Sequence, residues 1–232
     1  MMLAAYKEKF ASSPLRSSRT LFENYRQVRE ISSDLLSHKI IKCLAKDAIQ
    51  VCGKKLGIMK GKTLLLNKED ELDLFMDYCL FYHYGNNKNA IDRYALTRSG
   101  KLSQEEKTIL VALQQAEYAF LAVEKVLPHG GVIVNNFFRK ERELLIDKGL
   151  SQSTIPGVGL VTTLLRFPNF IMTTGAALPL NNVAESLLPI MDEHLKKYGP
   201  FEFMSKTHLS LLVGNIMKMC FREKVTENVT YR

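Results

Sequence analysis

The sequence has no tryptophan, no closely spaced cysteines and no long hydrophobic run. Its four cysteines, Cys43, Cys52, Cys79 and Cys220, are scattered and make no C-x-x-C pair. A cysteine-built zinc site is therefore not expected. A disulfide framework is not expected either, because 232 residues suffice to bury a core without one. The longest uncharged stretches are interrupted by Pro156, Pro168, asparagines and glycines, so no transmembrane helix is predicted. The start of the chain lacks the apolar core of a signal peptide. These absences predict a cytoplasmic protein with no metal or other cofactor.

Familiar catalytic signatures are missing too. Gly157-Val158-Gly159 has no third glycine two residues on, and no G-x-x-x-x-G-K-[ST] run occurs, so nucleotide-cradling loops are rejected. There is no H-E-x-x-H pattern and no G-x-S-x-G elbow. Ser151, His129 and Asp147 all fall in the central block, but serine, histidine and aspartate are common in turns anyway. The most site-like loop is 147–151, which carries an acid, a glycine and a hydroxyl between two expected strands. Arg166 lies in an otherwise apolar strand, where it must face solvent or pair with a carboxylate, and Asp147 is the expected partner. Asp147, Ser151 and Arg166 are thus the candidate pocket of a hydrolase-like enzyme.

What the chain does have is uneven charge. Residues 1–62 hold thirteen Lys/Arg against five Asp/Glu, a surplus of eight, and that is the whole net charge of the chain. Such asymmetry suits an anionic partner, nucleic acid or an acidic protein, although charge runs are more often plain solvated surface. Ser32-Ser33-Asp34 is expected to cap a helix on which Leu36, Ile40, Leu44 and Val51 share one face and Lys39, Lys42 and Lys46 the other. Gly53 is expected to end it, with Lys54 and Lys55 against its negative pole. These five lysines are the candidate anion-binding residues. That helix has no large aromatic face, which argues against membrane-surface attachment.

An α+β fold follows: a helical N-terminal part (1–102), a central small antiparallel β-meander or barrel (103–182), and C-terminal helices (183–232). Residues 1–18 read as a loose lead-in, and 222–232 as a tail or a late strand. Ser103 to Glu106 form a capping box. Alternation from Tyr118 places Tyr118, Phe120, Ala122 and Val126 on one strand face. Further strands are predicted over 132–138, 144–146, 158–167 and 170–174, with a charged hairpin tip at 139–142. The segment 135–142 mixes aromatics and cations like a single-strand stacking platform, but Phe137 and Phe138 point to opposite faces, so at most one can stack.

Residues 103–180 resemble a segment of uncharacterised bacterial proteins in which a capped helix leads into a strand. The likeness rests on Gly131-Val132, Asp147, Ser151, Gly157, Arg166 and Thr174-Gly175-Ala176. Some of those proteins carry a C-terminal cysteine-rich metal motif that this chain lacks, since Cys220 stands alone. The resemblance implies a bacterial, cytosolic origin and no particular activity. The expected function is a non-catalytic binding module with an anionic partner, and the hydrolase-like enzyme is the alternative.

Overall fold

Leu21, Tyr25, Val28 and Ile31 recur at helical spacing, and in the structure they open a longer helix than the sequence suggests. The structure, a computed structural model, describes residues 16–128, 130–180 and 183–225. The expected lead-in therefore falls mostly, and the expected tail largely, outside the described residues. Helix α1 spans Arg16–Asp34 and continues through a π-helical turn, Leu35–Lys39, and a 3-10 turn, Ile40–Cys43. Ser32-Ser33-Asp34 does not cap a new helix: Ser32 is buried, and the chain runs straight on. Leu35, Leu36 and Ile40 extend the buried face, and their burial outweighs the local capping preference. The helix restarts as α2, Ala48–Leu56, so Val51 does not share a face with Leu36 and Ile40 and is exposed. Gly53 lies inside α2. The terminating residue is Gly57, whose φ of 77° is the left-handed cap that glycine adopts at no steric cost.

A short hairpin follows, β1 (Met59–Lys60) with β2 (Thr63–Leu64). Helix α3, Glu69–Asp77, runs into a π-helical turn, Tyr78–Tyr82, whose five residues are all buried. After α4, Ala90–Arg98, helix α5 spans Gln104–Gln114. The predicted capping box opens it: Glu106 N donates to Ser103 Oγ at 3.1 Å, and Ser103 N donates to Glu106 Oε2 at 2.8 Å.

Five strands then close a barrel in the order β3-β4-β5-β7-β6. They are β3 (Glu117–Leu127), β4 (Gly131–Asn136), β5 (Glu141–Ile146), β6 (Gly159–Arg166) and β7 (Ile171–Pro179), with helix α6 (Lys148–Ser153) between β5 and β6. The expectation of an all-antiparallel barrel is corrected at one joint, because β5 and β7 run parallel and register at Leu145 opposite Ile171. The chain between them contains α6 and β6, which is ample for a parallel crossover. The hairpin tip is 137–140 rather than 139–142, since Glu141 and Arg142 pair across the ladder with Asn136 and Asn135. The third and fifth barrel strands are parallel, and a helix stands between the third and fourth.

Alternation sorts the strand residues. Ala119, Leu121, Val123, Val132, Val134, Leu145, Leu160 and Leu164 fill the barrel. Tyr118, Val161, Leu165, Met172 and Leu178 point outward into a larger core shared with the helices. Val126 leaves the face of Tyr118 and packs against the interior group, because a bulge between Val123 and Lys125 shifts the register. The larger core takes in Leu35, Phe75, Ile91 and Ile109, and reaches Leu187 and Val213 of the last helices, α7 (Ala184–Tyr198) and α8 (Lys206–Arg222). Among the described residues no helix is long and apolar enough to cross a membrane.

Candidate functional site

The five candidate lysines end in three different environments. Lys39 is engaged: its Nζ lies 2.7 Å from Glu106 and 3.1 Å from Asp34. The hydrogen bonds it donates to Glu106 and then Asp34 pull its pKa up to about 12. Lys55 sits with its ammonium 5.4 Å from the centre of the Tyr78 ring, and partial burial lowers its pKa. Lys42, Lys46 and Lys54 are exposed and pair with no described carboxylate. Lys60 and Lys62, on the β1–β2 hairpin, are exposed as well. Gly61-Lys62-Thr63 belongs to that hairpin and not to a helix N-terminus, so it forms no phosphate cradle.

The barrel's arginines, in contrast, are neutralised. Arg142 makes two hydrogen bonds of 2.7 Å to Glu124. Arg139 grips Glu117. Arg166 donates to Glu143 at 2.7 Å and to Glu117 at 3.1 Å. Arg166 is thus paired as predicted, but with Glu143 and Glu117 and not with Asp147. All three of these side chains point toward the barrel interior by strand parity. Burial of Glu117 opposes its charge, yet Arg139 and Arg166 outweigh that and hold its carboxyl below the usual range. Asn136 adds a hydrogen bond of 2.9 Å to buried Glu143. A polar plug therefore closes this end of the barrel. The two-residue steps from Ala119 to Glu117 and from Leu145 to Glu143 were its signal in the sequence.

Asp147 is held elsewhere. Its carboxylate accepts from Arg29 at 3.0 Å, from the Leu150 amide at 3.0 Å, and from the Thr173 hydroxyl. The Leu150 bond caps α6, whose N-cap is Asp147. Ser151 spends its hydroxyl on the Lys148 carbonyl at 2.8 Å. A cavity of about 140 Å³ lies against Asp147, with Asp70, Asp73, Thr173 and Gly175 in its wall, and includes neither Ser151 nor Arg166. Nearby, the Thr174 hydroxyl donates to Asp77, whose pKa burial pushes up to about 7 against the pull of that bond. His129 lies outside the described residues. No group of three or more potential ligands among the described residues could hold a metal ion.

The aromatic pair at the β4–β5 tip splits as the alternation predicts. Phe138 is buried and stacks on Phe201 with centroids 4.1 Å apart. Phe137 is 50% exposed and stacks on Phe120 at 4.8 Å.

The first helix crosses the loop ends of the barrel. Phe22 lies close to Gly130 in the β3–β4 turn, the Lys148 amide donates to the Tyr25 hydroxyl at 3.4 Å, and the Tyr25 ring meets Phe170 of the β6–β7 turn edge-on at 6.3 Å. Here α1 fills the space between these loops, a role no local sequence signal announced.

Neither a curated protein nor a solved structure matches the chain. A family of unknown function (DUF7986) matches residues 19–199, from the first turn of α1 through the barrel to the end of α7, and the chain belongs to that family.

Proposed function

We propose that the protein is a non-catalytic binding module for an anionic partner, nucleic acid before an acidic protein, in the cytoplasm of a bacterium. One observation supports this reading above the others: the whole surplus of positive charge lies in residues 1–62, and the rest of the chain is balanced. The arginines of the barrel are each matched to a glutamate, whereas Lys42, Lys46 and Lys54 have no described counter-charge. Unmatched cations attract polyanions and release the counterions condensed on them, which makes binding steeply salt-dependent.

The test is retention of the full chain on immobilised single-stranded DNA across a salt gradient, beside a Lys42→Ala/Lys46→Ala/Lys54→Ala variant. Late elution is expected for the natural chain. The slope of log affinity on log salt should fall by roughly 0.7 for each phosphate contact removed. Elution of the natural chain with a neutral protein of the same size would end the proposal, and so would an unchanged slope in the variant.

A further inference from the structure

A second cavity, of about 270 Å³, lies between α1, α5 and the β6–β7 turn. Its floor is apolar: Val28 and Ile31 from α1, Ile109 from α5, and Phe167 and Phe170 from the turn. The two phenylalanine rings stack with centroids 5.0 Å apart and planes 24° from parallel. Its rim is of another kind. Asn24, Gln27 and Asn169 are exposed amides, and none is bonded to another described residue. Each amide offers two donors and an acceptor. Among the described residues lining the cavity, Glu105 alone carries charge, and no cation is present.

We propose that this cavity receives one planar, uncharged heterocycle of the nucleobase class, either splayed from a single strand or presented as a free nucleoside. The size suits a single ring system, since it falls just below the ~300–1,000 Å³ of drug-sized pockets. An aromatic floor takes the π-face of a base, and stacking of that kind tolerates any base. Amides around the edge match the alternating donors and acceptors of a base edge, which a purely apolar ligand would leave unused. The missing cation and the carboxylate of Glu105 keep phosphates out of the cavity, so the base enters and the backbone stays outside. This inference rests on the nucleic-acid reading for its strand-borne form and stands apart from it for the free nucleoside.

The experiment is saturation-transfer NMR on the full chain with adenosine, cytidine, guanosine and uridine, and with benzene as an apolar control. Fluorescence anisotropy with a labelled single-stranded oligonucleotide runs in parallel. At least one nucleoside should bind, and Val28→Trp, which fills the cavity, should weaken it at least tenfold. Should that variant not fold, the exposed-rim pair Asn24→Ala/Asn169→Ala is expected to weaken nucleoside binding several-fold. Full nucleoside affinity in either folded variant would overturn the inference, as would benzene binding as well as every nucleoside. Oligonucleotide binding with no nucleoside binding overturns this inference and leaves the lysine reading standing. Nucleoside binding that survives the triple lysine substitution, with no oligonucleotide binding by either protein, supports the cavity and removes the lysine reading.

Discussion

Arg29 in the first helix and Asp147 at the end of β5 meet at 3.0 Å although 118 residues separate them in the chain. Arg29 also donates to the Thr173 hydroxyl at 3.4 Å, so one guanidinium ties α1 to two strands of the barrel. Arg29→Ala would leave Asp147 nearly buried without its counter-ion. The expected cost is about 2–3 kcal/mol, since removing one partner of a buried pair strands the other. Urea denaturation should show a lower midpoint, and an unchanged midpoint would mean the pair contributes nothing.

Asp77 gives the protein a stability term that falls with rising pH. Burial lifts its folded pKa from 3.8 to about 7. A carboxyl that holds its proton more tightly in the folded state stabilises fully below its unfolded pKa, and the contribution is lost as pH rises through 7. Asp77→Asn should therefore raise stability at pH 8 by on the order of 1–3 kcal/mol and change little at pH 4. Denaturation midpoints of both proteins at the two pH values decide it.

His194 acts in the opposite sense. Only 6% of it is exposed, its Nε2 has no hydrogen-bond partner among the described residues, and burial lowers its pKa below 6.5. The folded state thus favours the neutral ring, which stabilises above about pH 6.5 and loses that contribution as pH falls. His194→Leu is expected to be close to neutral at pH 8 and to raise the midpoint at pH 5. Equal shifts at both pH values would show that protonation plays no part.

Gly53 tests packing. A Cβ there would stand 2.6 Å from Met59 Cγ and 2.9 Å from Leu64 Cδ2, so the side chains that the β1–β2 hairpin packs on α2 would have to shift. Gly53→Ala should cost about 1–3 kcal/mol despite alanine's better helix propensity. A thermal melt showing stabilisation would mean that the Met59 and Leu64 side chains yield freely.

The difference between Gly53 and Gly57 shows where sequence reading stops. Both glycines sit among lysines near a helix end, and the choice between terminator and close-packed residue depends on a hairpin that packs from outside the helix. Local chemistry was readable: the Ser103–Glu106 box, the five strands, the opposed directions of Phe137 and Phe138. Ser32-Ser33-Asp34 misled because leucines beyond it kept the helix buried. The partner of Arg166 was within reach, since Glu117 and Glu143 share the parity of inward residues on their own strands. The partner of Asp147 was not, because nothing in α1 distinguishes Arg29 from Arg26 until the helix is laid across the barrel.

That crossing bears on how the barrel breathes. The seam between β5 and β7 is stitched at a single residue pair, while every other neighbouring pair of strands shares a longer ladder. Fluctuations that open the wall should begin at this seam, where the fewest main-chain bonds must break. Asp147 and Thr173 stand on its two sides, and Arg29 reaches both, so α1 works as a staple across the weakest line of the cylinder.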